Sequence, residues 1–368
     1  MNRTSRIVAG VVGFALVAIM WPQRREKVAS QGRQCLGGRL GVEGRQMAYE
    51  QGLEVDAKRD CILEPILDQK AAAAPVPSRP AEPAASGQTL AEARRGFVTA
   101  VRAADGTYPL PSPPPNLFVP IPLTNNRGAA LPAFVTPDPR DGRRHPAIVW
   151  ITGGNSSALG DFWTADAESD DESVSAFRKA GVVVMFPSLR GGHVGTGGRE
   201  YFLGETDDVL AAAEQLARLP YVDSDRIYLG GHSTGGTLAL LVAETSERFR
   251  GVFAFGPVAR VDRYPTPMVP AELAGLPEPE RRLRSPIYWL HGITTPTYVI
   301  EGRASPNIGD AKELCAASPR VTCLLMEGAD HFDVLSRVTR VVAARMSIGQ
   351  DVERGLRTDD FPAGTGRQ

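Results

Sequence analysis

Residues 227–236 read IYLGGHSTGG and contain the pattern Gly-x-Ser-x-Gly centred on Ser233. The pattern follows a short apolar stretch and precedes a helix-like segment from Thr237 to Glu244. A strand, this turn and a helix in that order form a nucleophile elbow, a turn sharp enough to lift a serine hydroxyl above the edge of a sheet. The chain has 38 glycines, so the bare pattern also fits a glycine-rich turn with an inert serine. The order of the flanking segments favours Ser233 as a nucleophile.

The segments around this motif predict alternating strands and helices. Apolar strand patterns occur at 117–123, 131–135, 147–151, 182–186, 252–255, 298–301 and 321–326. Helical patterns lie between and after them at 172–180, 207–219, 310–317 and 332–348. Continuous apolar strands separated by helices predict an α/β fold with a mostly parallel central sheet covered by helices on both faces. Ligands bind at the C-terminal ends of such strands, so the chemistry is expected directly after each strand.

A general base for Ser233 is expected at His331, one of five histidines in the chain. A serine hydroxyl is a poor nucleophile until a base takes its proton. His331 follows the final strand pattern and opens the final helix pattern, where a loop can carry an imidazole over the nucleophile. Serine first and histidine last is also the order in which one class of serine hydrolases carries its triad. His232, next to Ser233, is expected to point away from it and to be structural.

The acid that would orient His331 is harder to assign. Glu301 is the first choice, because it is the only carboxylate in the loop 301–307 after the strand at 298–301. Asp310 and Asp262 are the alternatives, and a salt bridge at the sheet edge is a nearly equal interpretation of Glu301. The assignment matters because replacing the triad aspartate by asparagine in a serine protease lowers kcat by about 10⁴.

An oxyanion hole needs two donors aimed at the developing negative charge. The backbone N–H of Thr234, directly after the nucleophile, is the first expected donor. The second is expected from the loop after the strand at 147–151, with Gly154 and Asn155 as the sources.

With these residues in place, the region from about 146 to 348 resembles the catalytic domain of the prolyl oligopeptidase-type serine peptidases, within the α/β-hydrolase superfamily. The most specific part is 186–236, which carries, in the family's order, the turn Arg190-Gly191-Gly192, the helix with Asp208, the step Val222-Asp223 and the elbow. The resemblance implies that Ser233 is the nucleophile and His331 the general base.

The chain departs from the family pattern at several positions. Ser305 stands where the family usually has an aspartate, and Thr234 stands where its peptidases often carry a tyrosine. Thr152 replaces the histidine of the His-Gly-Gly loop common in related esterases. Residues 22–116 are too few to build the β-propeller that precedes the catalytic domain in these peptidases. The expected function is a serine hydrolase for peptide or ester bonds; a carboxylesterase and an impaired pseudo-hydrolase that acts as a binding module are the alternatives.

The N-terminal residues 1–30 predict a signal anchor or a signal peptide. Residues 7–21 read IVAGVVGFALVAIMW and follow Arg3 and Arg6. As a helix, fifteen residues span roughly 22 Å, short of a hydrocarbon core of about 30 Å. An uncleaved anchor is favoured, which makes the protein membrane-anchored or exported, with its orientation open.

The rest of the chain predicts a simple order of segments. Residues 31–70 form a membrane-proximal segment, 71–88 an Ala/Pro-rich linker, 89–348 the catalytic domain and 349–368 a disordered tail. The catalytic domain is expected to open with a helix whose capping box pairs Thr89 with Glu92.

The composition excludes some partners and favours others. A formal net charge of −1 gives no global field for nucleic acid. The four cysteines predict the disulfides Cys35–Cys61 and Cys315–Cys323 in an exported protein. Their spacing does not suggest a metal site, and no cofactor is expected. The expected partner is a small peptide or ester substrate.

Overall fold

The computed structural model describes residues 87–99, 101, 106, 108–165, 171–193, 195–264, 273, 275–353 and 355–361, and the backbone of three short strands nearer the N-terminus. The chain divides into two compact units, residues 1–79 with 266–268, and residues 80–265 with 269–368. In the first unit, β1 (Cys35–Leu36), β2 (Val55–Asp56) and β3 (Cys61–Leu63) form an antiparallel sheet in the order β1-β3-β2.

The apolar run 7–21 lies outside the described residues. Among the helices that the structure does describe, none combines the length and the apolar character needed to cross a membrane.

The second unit is built on an eight-stranded sheet. Its strands are β4 (Val119–Thr124), β5 (Ala130–Val135), β6 (His145–Ile151), β7 (Val183–Pro187), β8 (Val222–His232), β9 (Val252–Phe255), β10 (Thr297–Gly302) and β11 (Val321–Met326). They lie in the order β4-β5-β7-β6-β8-β9-β10-β11. The pairs β4–β5 and β5–β7 are antiparallel, and every other neighbouring pair is parallel. The C-terminal ends of β6 and β8 to β11 therefore meet at one edge.

Helices pack against the sheet. Those whose bounds the structure describes are α1 (Leu90–Arg94), α2 (Ser175–Lys179), α3 (Glu205–Ala217), α4 (Thr234–Ala243), α5 (Glu278–Arg282), α6 (Ile308–Ala317) and α7 (Asp333–Ser347). All ten residues of α4 are buried, as expected for the helix that follows an elbow into the centre of the molecule. In the sheet, Trp150 packs between Phe177 and Phe255. The predicted α/β fold with a mostly parallel sheet, an α/β-hydrolase fold, is confirmed.

The bounds of two segments differ from the sequence prediction. The helix expected at 172–180 begins only at Ser175, because the Asp171 carboxylate accepts hydrogen bonds from the Ser175 backbone N–H and from the hydroxyls of Ser173 and Ser175. Glu172 therefore lies in the turn that precedes α2.

The C-terminal segment also differs from the disordered tail expected from the sequence. Val352, Leu356 and Phe361 are buried in the hydrophobic core, and the Tyr228 hydroxyl donates to Glu353. The polar and glycine-containing composition after 348 hides these widely spaced apolar residues. Residues 362–368 lie outside the described part.

Two local predictions are confirmed. The Thr89 side chain accepts from the Glu92 backbone N–H, and the Glu92 carboxylate accepts from the Thr89 backbone N–H, which completes the capping box of α1. A disulfide joins Cys315 in α6 to Cys323 in β11. For the Cys35–Cys61 prediction, the structure describes only the backbone of the strands concerned.

Candidate active site

Ser233 lies in the turn between β8 and α4 with a backbone φ of 54° and ψ of −115°, a combination that few non-glycine residues adopt. Its backbone N–H donates to the Phe255 carbonyl at 2.8 Å, which fixes the turn against β9. A side chain at Gly235 would collide with the carbonyl oxygens of Ile151 and Thr152, so the close approach of α4 to β6 requires glycine. Ser233 is 7% exposed. The predicted strand–elbow–helix arrangement is present.

His331 lies in the loop between β11 and α7, and its Nδ1 is 3.1 Å from Oε2 of Glu301. Glu301 is fully buried near the end of β10, where its other oxygen accepts a hydrogen bond from the Gly302 backbone N–H at 2.8 Å. A carboxylate can only accept, so Nδ1 carries the proton and Nε2 is left as the basic nitrogen of the neutral ring. This arrangement suits a general base.

The other two candidate acids have different surroundings. Asp310 accepts hydrogen bonds from the Ala259 backbone N–H at 2.7 Å and from the Arg263 guanidinium at 2.6 Å. Asp262 is exposed in a short 3₁₀ helix, Val261–Arg263. Within the described part of the chain, neither carboxylate bonds to His331.

Gly256, directly after β9, makes room for the pair of His331 and Glu301. Its φ is +58°, and a Cβ built there would lie 2.7 Å from His331 Nδ1 and 3.1 Å from Glu301 Oε2, and closer still to the ring carbon Cε1. Sequence analysis missed this residue, because the contact joins positions far apart in the chain.

The loop that carries His331 is held by its own side chains. The Asp330 carboxylate accepts from the backbone N–H groups of Phe332 and Asp333 at 2.9 Å and so begins α7. Among the described residues, no hydrogen bond joins the Ser233 hydroxyl to His331. In structures without substrate such contacts are often long, and they tighten when the substrate binds.

The loop after β6 packs on the elbow as expected. The Thr234 hydroxyl donates to the Gly154 carbonyl at 2.9 Å, and Gly153 lies against His232 and Ser233. Within the described part of the chain, the backbone N–H groups of Gly154 and Asn155 donate no hydrogen bond. The structure therefore brings Gly154 into contact with Thr234, and the oxyanion role of these residues and of Asn155 stays a prediction.

His232, which was expected to point away from Ser233 and to be structural, contacts the loop of His331 with one ring nitrogen and Glu172 with the other. Its Nε2 donates to the His331 carbonyl at 3.0 Å, and its ring centroid lies 4.5 Å from that of His331. On the other side, Nδ1 lies 2.6 Å from Glu172 Oε1, an ion pair rather than a well-aligned hydrogen bond. Burial disfavours the charged ring, but the carboxylate of Glu172, with the His331 carbonyl and Glu301, outweighs it and raises the pKa of His232 to about 9.

Glu172 is the second residue that sequence analysis missed. Its side chain is 19% exposed. Burial raises the pKa of this carboxyl, but the charge of His232 outweighs burial and leaves the pKa below its ordinary value. A helix expected from residue 172 gave no reason to place it beside the elbow.

The turn after β7 is tied to α3 by a buried ion pair. The Arg190 guanidinium donates to both oxygens of Asp208, at 2.9 and 2.7 Å, and the Arg190 backbone N–H also donates to it. These are residues of the stretch that carries the family resemblance. In the described part of the chain, no group of three or more histidine, cysteine or acidic side chains could hold a metal ion.

Comparison with protein families matches residues 168–308 to the prolyl oligopeptidase family. The "Probable dipeptidyl-aminopeptidase B" of Talaromyces marneffei is 29% identical over 124 residues, which cover 32% of this chain and 13% of that protein. The corresponding protein of Talaromyces stipitatus gives the same values. The chain thus spans about an eighth of the length of these relatives.

Solved structures share the fold at low identity. A puromycin hydrolase superposes with a TM-score of 0.54 at 20% identity, covering 68% of this chain and 42% of that one. An esterase of Pyrococcus furiosus gives a TM-score of 0.50 at 17% identity, covering 68% of this chain and 97% of that one. The second unit thus has an α/β-hydrolase fold with Ser233 at its elbow and His331 beside Glu301 at the same sheet edge, and residues 168–308 of it match the prolyl oligopeptidase family.

Proposed function

We propose that this protein is a serine hydrolase that cleaves a peptide or ester bond through an acyl-enzyme on Ser233. The contact between His331 Nδ1 and Glu301 Oε2 carries the proposal, because it fixes the tautomer in which Nε2 can take the serine proton. The match of residues 168–308 to the prolyl oligopeptidase family supports the same chemistry.

In the proposed mechanism, His331 Nε2 removes the proton of Ser233 as the hydroxyl oxygen attacks the substrate carbonyl. The Thr234 N–H and an N–H of Gly154 or Asn155 stabilise the tetrahedral oxyanion. His331 then gives the proton to the leaving amine or alcohol. A water molecule, deprotonated by His331, then attacks the acyl-enzyme. The bond between the acyl carbon and the Ser233 oxygen breaks, and His331 returns the proton to that oxygen as the acid is released.

Glu301 acts in this scheme as the acid of the triad. It holds the His331 ring and stabilises the imidazolium that forms in each step. From the end of β10, Glu301 supplies the carboxylate that the family usually takes from an aspartate at the position of Ser305. A carboxylate in contact with the far nitrogen of His331 favours an active enzyme over a pseudo-hydrolase.

Peptide and ester substrates are both compatible with these groups. The family match and the dipeptidyl-aminopeptidase relatives favour a peptide bond. An esterase that shares the fold over nearly its whole length keeps a carboxylesterase as the second candidate. We further propose, from the apolar run 7–21, that the protein is membrane-anchored or exported.

The test is covalent labelling of the purified protein by a fluorophosphonate probe. We expect wild type to label and Ser233→Ala to lose all labelling. Ser305→Ala is the matched control, since it removes another buried serine, in the turn that follows the strand of Glu301, and should label as wild type does. If the folded wild-type protein does not label, Ser233 is not activated and the proposal is wrong. The alternative is then a pseudo-hydrolase that acts as a binding module. Paired panels of p-nitrophenyl esters and dipeptide amides then separate the two substrate classes.

A further inference from the structure

Beside the proposed triad lies a second pair of a carboxylate and an imidazole, Glu172 and His232. Both ring nitrogens of His232 are used: Nε2 donates to the backbone carbonyl of His331, and Nδ1 faces Glu172. A ring that carries protons on both nitrogens is a cation, and it is 1% exposed. A buried cation is tolerated only with a partner, and Glu172 is that partner.

The pair joins three segments that meet at the edge of the sheet. Glu172 comes from the turn before α2, His232 from the end of β8, and the accepted carbonyl from the loop between β11 and α7. The His232 ring also packs on the rings of His331 and Phe332, at 4.5 and 5.4 Å between centroids. The loop that carries His331 is thus tied to the elbow by a charged hydrogen bond as well as by ring packing.

We propose that the ion pair of Glu172 and His232 positions His331 for its reaction with Ser233. The effect of this pair on catalysis rests on the proposed function, whereas its effect on the position of the His331 loop does not. His232 and Glu172 are positioning residues: they hold the His331 backbone, while Glu301 holds the His331 ring. A misplacement of about 1 Å at such a base can lower the rate about 10²-fold.

Among the described residues, few titratable groups face His232. They are Glu172 before α2, Glu301 on β10 and the His331 ring after β11. Neutral Glu172→Gln keeps the shape of the side chain but removes the charge that holds the proton on His232. His232→Gln keeps a donor that can reach the His331 carbonyl but does not titrate, and His232→Leu removes both the donor and the charge.

The first measurement is hydrogen exchange of the peptide that covers residues 327–333, because it does not depend on activity. We expect its exchange to be at least tenfold faster in Glu172→Gln and His232→Leu than in wild type, and largely restored in Glu172→Asp and His232→Gln. Asp141→Asn is the matched control, since Asp141 makes an exposed pair with His145 at the opposite end of β6. It should leave the peptide unchanged.

The second measurement is the hydrolysis of an activated ester against pH. We expect Glu172→Gln and His232→Leu to lower kcat roughly 10- to 100-fold with KM changed less than about threefold. Wild type should lose activity as pH rises through about 9, where His232 loses its proton. His232→Gln should lack that alkaline step, a difference that a merely structural role would not produce.

The outcomes are separable. Unchanged exchange in the 327–333 peptide of folded Glu172→Gln and His232→Leu overturns the positioning role, whatever happens to kcat. Faster exchange together with unchanged kcat also overturns it, because the loop would then move without affecting the base. If the wild type neither labels nor hydrolyses esters, but exchange is faster in Glu172→Gln and His232→Leu, the pair holds the His331 loop and the proposed function is wrong.

Discussion

At the scale of single residues, the site depends on which carboxylate faces His331. The end of a strand is a more rigid place for an acid than the following loop, because its backbone is held by neighbours on both sides. Glu301 reaches from β10 with one side-chain methylene more than aspartate has, and this length brings Oε2 to the imidazole. Ser305 instead accepts a hydrogen bond from the Asn307 backbone N–H at 3.0 Å and serves the local turn.

We expect Glu301→Gln to lower kcat roughly 10²- to 10⁴-fold, because the amide can no longer stabilise the imidazolium and can present its N–H to the wrong tautomer. Steady-state ester hydrolysis at neutral pH measures the effect. Asp262→Asn, an exposed alternative acid, should stay within about twofold of wild type. A larger loss for Asp262→Asn than for Glu301→Gln would reverse the assignment of the acid.

Gly256 gives a second prediction at this scale. Gly256→Ala should reduce kcat at least about 10²-fold, because the added methyl group occupies the space of the His331 ring. It should also cost about 1–3 kcal/mol of stability for a left-handed alanine.

Gly349→Ala separates these two effects. Gly349 also has a positive φ, +74°, but a Cβ there would meet no atom within 4 Å. Its stability loss in denaturant unfolding should reflect the left-handed backbone alone and so be no larger than that of Gly256→Ala, while kcat should not change. Equal kcat in the two variants would show that the space beside His331 is not needed.

At the scale of elements, local sequence patterns were sufficient for most of the second unit. The apolar runs predicted the strands, because a buried parallel strand has no polar face. Ser233 and His331 were predicted as candidate site residues because each comes directly after a predicted strand. What could not be predicted joins distant elements. The pairing of Glu172 with His232 depends on α2 beginning three residues later than its pattern indicates, and the role of Gly256 depends on the register of β9 against β10.

The disulfide between α6 and β11 supports a prediction about stability. Cys315 and Cys323 are eight residues apart, and closing a loop of this size stabilises a protein by about 2–3 kcal/mol in the chain-entropy model. The double replacement by alanine should lower the free energy of unfolding by this amount and leave kcat within about twofold. A reductant that destabilises the double variant further would report the bond predicted between Cys35 and Cys61.

At the scale of the whole molecule, stability should depend on pH through the buried pair of Glu172 and His232. The pKa of His232 is raised from 6.5 to about 9, so its contribution is complete below about pH 6.5 and is lost as pH rises through 9. The shift corresponds to roughly 3 kcal/mol as an upper estimate. Glu172 has a lowered pKa, so its contribution is present above its ordinary value near 4.5 and is lost in acid.

Denaturant unfolding across pH 4–10 measures this window. The difference in unfolding free energy between wild type and His232→Gln should be largest between about pH 5 and 6.5, and it should shrink above that. A difference that does not vary from pH 6 to 10 would mean that His232 is not charged in the folded protein.

The proposed nucleophile follows β8, the proposed acid lies at the end of β10 and the proposed base follows β11, and their order along the chain is also their order of synthesis. The base that would activate Ser233 is made almost one hundred residues after the elbow. The strands that hold these groups pair in parallel with strands more than twenty residues away in the chain, and such non-local pairing is slow to form. On the proposed roles, an unfinished or incompletely folded chain carries a chemically inert serine, so hydrolysis begins only once the last strand has joined the sheet.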